Sequence, residues 1–494
     1  MFILAGVIFS NIASYGYRLL IARNYGPQWY GVFSLAIMIV GLIVSLSSLG
    51  FPDSAGRFLP RYIEKNSFKK IKFLVKNLSL ISLIINILAG IVLFLVSDSI
   101  AIKLFREPLL ATPLKIFSIL VPVWVLSNLF LSYIISLEKV AWHSFLTNVV
   151  PSLLRLAILV FLIIFAVGPH SIFISYLLGS LIALIVSTII FYRYAKMPKD
   201  DGKLATQEKK LLMRQIIIYS WPLIFSALLT KIYYWTDSFM IGYLLDTTQV
   251  GIYNAATPIA LLLTITPLLF LQLFVPIINR EIIKGRKKMI KQMSQQVGKW
   301  IFLVNLPVLL FIFVFPGAII NVLFGQEYVA AANTLRILSL GAFISSLSFT
   351  SERLILMKGK SKTILINVLS TAIINLILNA LLIPKYGITG AAIATAITWF
   401  ILGFLLLIEG RYYLSIVPLR RKVARIALAS ILPFIALILV KDIVPHTFIS
   451  LLLSSILFML IYLALVFWTG CLDKYDLTLL RSLKKKIIPT SNPL

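Results

Sequence analysis

Acidic residues are scarce in this chain. Its 494 residues include 17 Asp and Glu against 46 Lys and Arg, and 13% of the residues are charged, about half the roughly 25% of a soluble domain. Histidine occurs three times, at His143, His170 and His446, each beside a loop and far from the others in sequence. A single cysteine, Cys471, excludes an intrachain disulfide and a thiol-ligated metal cluster. The HExxH, Walker A and G-x-S-x-G patterns are missing, so no metal or organic cofactor and no enzymatic activity is expected. Asp98 and Glu107, in the segment 98–112, are a thin basis for a metal-dependent membrane glycosyltransferase or polymerase.

Apolar residues fill the space that charge leaves. The chain is 60% hydrophobic, with a mean hydropathy of +0.99. The apolar residues come in blocks rather than stripes, and a block of about 20 spans a bilayer. Charge and Gly/Pro punctuation divide them into about fourteen spans, near 2–22, 31–52, 77–97, 113–136, 144–167, 171–192, 216–242, 251–278, 300–323, 334–357, 363–383, 390–409, 423–444 and 447–469. The first block lacks a basic n-region and a cleavage site, so it reads as a span and not as a signal peptide.

The net charge of +29 would suggest nucleic acid in a soluble chain. Here it marks topology. One set of loops holds 35 of the 46 Lys and Arg, and the opposite set holds 5. Basic loops stay on the cytoplasmic side, so both termini are expected there, in the plasma membrane. The segments 57–76 and 279–299 are expected to form basic surface helices. They serve as a topology signal touching anionic lipid, or as a collecting surface for an anionic lipid-linked substrate.

The chain repeats itself. Ile21, Gly31 and Ala36 match Ile241, Gly251 and Ala256 at an offset of 220 residues, and Asn148, Leu162 and Gly168 match Asn367, Leu381 and Gly387 at 219. Each copy holds six spans. An even number gives both copies the same orientation, which places a substrate path between them. The expected division is a lobe over 1–214 with its linker, a lobe over 215–422, and two extra spans with a basic tail over 423–494.

Charge within the spans marks the candidate site, because a charged group at a helix centre costs about 2.5–3.5 kcal/mol on insertion scales. Arg155 lies mid-span; it either faces a wet cavity or snorkels and pairs with backbone. Arg18 and Asp237 sit at nearly equal depths on the equivalent spans one and seven. They either line a central cavity, pairing in one conformation, or are satisfied within their own lobes. Lys231 adds a cation about two turns deeper than Asp237. Secondary candidates are Arg23, Asp53 (a gate residue or a helix cap), Arg57, Glu352, and the aromatic residues Tyr233 and Trp235, which either pack or stack on sugar. Gly26, Pro27 and Pro222 are candidate hinges. The excess of cations favours a phosphate-bearing substrate.

The stretch Arg18-Leu-Leu-Ile-Ala-Arg23-Asn-Tyr-Gly26-Pro27-Gln-Trp-Tyr30-Gly31 resembles the amino-terminal signature of the polysaccharide biosynthesis flippases, in the multidrug/oligosaccharidyl-lipid/polysaccharide exporter superfamily. The stretch Asn375 to Thr395, through Asn379, Pro384, Gly387 and Gly390, resembles their carboxy-terminal signature. The resemblance implies an all-α polytopic protein of about fourteen helices, with two parallel six-helix lobes around a central cavity and two further helices. It implies alternating-access export of a polyprenyl- or dolichyl-linked saccharide, often coupled to H+ or Na+, with basic cavity residues holding the lipid diphosphate. Membrane lipid and cell-envelope glycan assembly proteins are the expected partners, with no nucleic acid. Relatives often have a basic tail before span one, so the true amino terminus is expected upstream of Met1. The rival readings are an ion-coupled drug or metabolite antiporter of the same superfamily, the glycosyltransferase or polymerase, and an assembly scaffold.

Overall fold

The computed structural model describes residues 2–195, 204–414, 422–441 and 447–470. The predicted tail after residue 470, Cys471 and His446 lie outside these. Every regular element among the described residues is a helix. Eleven helices are long and apolar enough to cross a membrane, or twelve if the bent pair Pro108–Ser118 and Leu120–Ser136 counts as one span. Their outer faces carry large apolar side chains such as Ile164 (74% exposed), Leu95 (71%) and Leu439 (72%). Such faces suit hydrocarbon and not water, and the protein is a multi-pass membrane protein.

Two helices each hold two of the spans that the sequence predicts. Helix α1 (Phe2–Ser47) has 46 residues and would be about 69 Å long at 1.5 Å per residue, more than twice the ~30 Å hydrocarbon core. It breaks at Gly26, whose φ of 77° and ψ of −179° fall in a region that only glycine adopts readily. Helix α14 (Ser361–Leu414), with 54 residues, breaks likewise at Gly387 (φ 58°, ψ −140°). Each is two predicted spans joined at a glycine. All fourteen predicted segments fall on helices, although residues 442–444 lie outside the described chain.

The chain packs as two compact units, Met1–Asn254 and Ala255–Leu494. The sequence repeat divides the chain at 214, whereas packing divides it at 254. The first unit contains α1, α2 (Phe51–Glu64), α3 (Phe68–Ser99), α4 (Ala111–Ser118), α5 (Leu120–Ser136), α6 (Val140–Ser144), α7 (Val150–Ile164), α8 (Ser171–Ala195), α9 (Thr206–Leu244) and the start of α10 (Thr247–Ile283). Its apolar core joins Phe51, Phe58 and Leu59 of α2 to Leu74 and Leu78 of α3, Leu129 and Tyr133 of α5, Phe191 of α8 and Ile216 of α9. The predicted surface helix at 57–65 is therefore packed along one face. Leu49 (φ 50°) and Gly50 (φ 65°) turn the chain inward after α1, so that α2 buries its apolar stripe against neighbouring helices.

The second unit holds the rest of α10, α11 (Lys287–Val314), α12 (Pro316–Phe324), α13 (Ala332–Met357), α14, α15 (Lys422–Val440) and α16 (Phe448–Trp468). Asn305 of α11 bridges two helices, donating to the Leu263 carbonyl at 2.7 Å and to Ser346 Oγ at 3.0 Å. Across the break in α14, Asn367 donates to Glu409 at 2.8 Å and Asn375 to Thr395 at 3.1 Å. The predicted surface segment 279–299 is the end of α10 and the start of α11. Lys299, counted above with the basic loops, is fully buried on α11.

Candidate functional site

The first half of α1 is fixed to α7 and α8 by hydroxyl groups. Ser10 and Ser14 each lie 3.0 Å from Ser152 Oγ on α7. The Tyr17 hydroxyl donates to the Ile172 carbonyl at 2.6 Å, and Tyr25 and Ser171 share a 2.7 Å bond. This ladder sets Arg18, which donates a hydrogen bond to the Tyr30 hydroxyl and is flanked by Tyr15 and Tyr176.

Arg155 reaches the same aromatic group from α7. Its guanidinium carbon lies 3.8 Å from the centre of the Tyr176 ring, close enough for a strong cation–π contact. Its Nη2 donates to Ser180 Oγ at 2.9 Å, while its buried Nε has no hydrogen-bond partner among the described residues. The close approach depends on Gly179, where a Cβ would lie 2.7 Å from Arg155 Cγ and 2.9 Å from its backbone nitrogen. Tyr17, Phe33, Phe117 and Trp124 pack around Tyr176 with ring centres 5.7–6.1 Å away. Arg155 thus stacks on Tyr176, while Arg18 is bonded to Tyr30 and feels Tyr176 electrostatically. Among the described residues, neither has a carboxylate partner.

Asp237 and Arg18 are not paired in this conformation. Asp237 Oδ2 accepts from the Tyr253 hydroxyl at 2.6 Å, and the buried Tyr30 hydroxyl donates to the Asn254 carbonyl at 3.3 Å. The two charges are instead tied to adjacent residues at the start of α10. Lys231 sits 4.4 Å from the centre of the Trp235 ring, one turn further along α9. Trp235 packs on Gly41, where a Cβ would lie 2.6 Å from ring carbon Cζ3. Tyr233 packs edge-on to the exposed Tyr234.

Arg23 is exposed beyond Arg18. Arg57, also exposed, stacks 4.1 Å from the centre of the Tyr219 ring. Asp53 lies in the first turn of α2, where partial burial raises its pKa above the ordinary 3.8. Glu352, in the second unit, neighbours Arg353, whose guanidinium lies 5.2 Å from the Phe349 ring centre. Helix α9 runs on through Pro222. Asp98 pairs with Lys115 at 2.8 Å and Glu107 accepts from Thr247 at 2.6 Å. No group of three or more His, Cys, Asp or Glu able to hold a metal ion occurs among the described residues.

The repeated glycines of the sequence meet each other. A Cβ on Gly31 would fall within the van der Waals radius of the Thr247 carbonyl oxygen and 2.9 Å from the Gly251 nitrogen. A Cβ on Gly251 would fall within that of the Pro27 carbonyl oxygen and 3.0 Å from the Gly31 nitrogen. Further along, a Cβ on Gly50 would lie 2.7 Å from the Ser220 carbonyl oxygen, and Ser54 and Ser220 share a 2.6 Å hydrogen bond. The second half of α1, with the turn that follows it, presents Gly31, Gly41 and Gly50 as a seam for α9 and the start of α10.

A bundle of spans with broken helices and a pair of half-buried arginines suits a membrane carrier, and known proteins agree. Residues 1–281 match the family described as polysaccharide biosynthesis protein, and residues 222–381 match the MatE family. The chain is 24% identical over 484 residues to an uncharacterized membrane protein of Methanocaldococcus jannaschii, covering 94% of this chain and 93% of that one. It is 24% identical over 391 residues to a putative O-antigen transporter of Shigella flexneri, covering 76% and 88%. The fold resembles that of the lipid II flippase MurJ in an inward closed conformation, with a TM-score of 0.73 at 20% identity over 94% of this chain and 98% of that one. It also resembles an inward-facing multidrug resistance MATE family transporter of the MOP superfamily, with a TM-score of 0.64 at 15% identity over 82% and 94%. The chain belongs to the polysaccharide biosynthesis protein family.

Proposed function

We propose that the protein is a flippase that moves a polyprenyl- or dolichyl-phosphate-linked saccharide from the cytoplasmic to the outer leaflet of the plasma membrane by alternating access. The observation that carries this is a pair of half-buried arginines, Arg155 stacked on Tyr176 and Arg18 bonded to Tyr30, with no carboxylate partner among the described residues. Arginine forks suit phosphate oxygens, and a substrate phosphate would meet the spare Nε of Arg155. Lys231 joins the phosphate path, and the lipid tail stays in the bilayer. Family membership and the Shigella relative's description support the same substrate class. Breaks at Gly26 and Pro27 supply hinges, both termini stay cytoplasmic, and glycan assembly proteins are the expected partners. The cycle uses no cofactor; an H+ or Na+ gradient is the candidate driving force.

The test is transport of a fluorescent lipid-linked oligosaccharide in vesicles holding purified protein. A hydrogen bond to a charged group contributes about 1.5–3 kcal/mol, so losing one at each arginine predicts at least a ~100-fold loss in Arg18→Ala/Arg155→Ala. Unchanged export in that double variant sinks the phosphate site. The match of residues 222–381 to the MatE family keeps the antiporter alternative, which predicts export of cationic dyes from the same vesicles and none of the oligosaccharide.

A further inference from the structure

The connection between α3 and α4 is more than a link. Residues 100–104 wind as a π turn, Arg106 is held at φ 53°, and Glu107 is extended. A positive φ is unfavourable for a non-glycine residue and persists only where surrounding contacts impose it. The contacts are present. Phe105, 5% exposed, packs on Phe239 with ring centres 6.3 Å apart and faces Gly242, where a Cβ would lie 3.2 Å from its ring. Glu107 accepts from Thr247 Oγ1 at 2.6 Å, from Gln28 Nε2 at 3.4 Å and from the Leu109 backbone at 3.4 Å. Thr247 is fully buried. Its carbonyl oxygen is the atom that meets Gly31, and Gln28 follows the Gly26-Pro27 break.

We infer that residues 100–110 form a strap, keyed by the Glu107 carboxylate, that holds the α1 break and the α9–α10 turn together and so keeps the Gly31–Gly251 seam shut. The strap lies on the face opposite the basic loops, where the transport reading puts substrate release; its role as a release latch rests on that reading. Opening the seam requires Thr247 to leave Glu107, and a short charge-assisted bond is a stronger fastening than a neutral one. The charged residues closest in sequence to the junction's segments are Lys103 and Arg106 on the strap, Arg23 before the α1 break, and Asp246, which caps the Gln249 backbone at 2.7 Å. The Asp98–Lys115 pair, 2.8 Å apart, leads into the strap without touching the junction.

The experiment reads the seam and needs no substrate. Ser34, 6% exposed and one turn beyond Gly31, is replaced by Cys in a Cys471→Ser background, and its labelling by a membrane-impermeant maleimide is timed in sealed vesicles. Glu107→Gln and Thr247→Val should each speed labelling at least fivefold, the pair together no more than either alone, and Asp98→Asn should leave it unchanged. Equal rates in Glu107→Gln, Thr247→Val and the parent overturn the strap, as does an equal gain in Asp98→Asn. Ser238→Cys, 3% exposed on α9, is the second reporter if Ser34→Cys does not fold. Oligosaccharide export from the same vesicles is scored separately. Faster labelling without any export leaves the strap standing and removes the flippase reading.

Discussion

The meeting of Gly31 and Gly251 predicts a reversal of sign. In an exposed helix, Gly→Ala stabilises by about 1 kcal/mol. At Gly31 the new methyl would lie 2.7 Å from the Thr247 carbonyl carbon and 2.9 Å from the Gly251 nitrogen. The Thr247 carbonyl oxygen is nearer still, so reaching a normal separation of about 3.5–4.0 Å moves one backbone by well over 1 Å, since none of these atoms belongs to a side chain that can turn away. Overpacking of this kind costs about 1–3 kcal/mol. Backbone against backbone belongs at the upper end, so about 2 kcal/mol remains after the helix gain. That is roughly a 30-fold shift away from the closed seam. The assay is thermal melting of the purified protein in detergent, with Gly56→Ala as control, because a Cβ there meets nothing within 4 Å. Gly56→Ala should melt slightly above the parent and Gly31→Ala well below it. Gly251→Ala should behave like Gly31→Ala, and the double variant should lose less than the sum, since both methyls occupy one gap. A Gly31→Ala protein that melts with Gly56→Ala would refute the close approach.

Arg155→Lys keeps the charge but loses the planar stack on Tyr176 and the bond to Ser180, so export should fall about 10-fold or more, as read in the vesicle assay. Tyr176→Phe keeps the ring and should retain most activity, whereas Tyr176→Ala removes the platform under Arg155 and should approach the loss seen in Arg155→Ala. Gly26→Ala forces an alanine to φ 77° and should lower the melting temperature by an amount corresponding to about 1–3 kcal/mol. The raised Asp53 pKa means that this carboxyl's stabilising contribution is complete below the ordinary value of 3.8 and is lost as pH rises through the folded value. Asp53→Asn should therefore melt slightly above the parent at neutral pH, with the gap closing as pH falls toward 3.8. The effect is small because the side chain is largely exposed.

The spans were legible because hydropathy in a bilayer is a one-dimensional signal, and the glycine repeat was legible because duplication preserves spacing. The partners of the charges were not. Tyr176 and Ser180 sit in the apolar run of α8, where nothing in the sequence separates a residue facing Arg155 from one facing lipid. Trp235 reads as a candidate sugar platform, and its packing on Gly41, a contact between helices far apart in sequence, was not legible. Lys299 looked like the last basic residue of a loop, because α11 begins at Lys287, before the apolar block starts. Glu107 looked like a stray loop acid, and only the fold brings Thr247 to it. The duplication itself explains this division. Gly31 and Gly251 are equivalent in the repeat, and in the fold they meet as equals. Arg18 and Arg155 lie in one copy without a charged counterpart in the other, whereas Glu107 falls on Glu327 at the 220-residue offset. On the proposed flippase function, a symmetric scaffold that moves an anionic headgroup in one direction needs asymmetric charge, and it is at those two unrepeated arginines that the substrate should be sought.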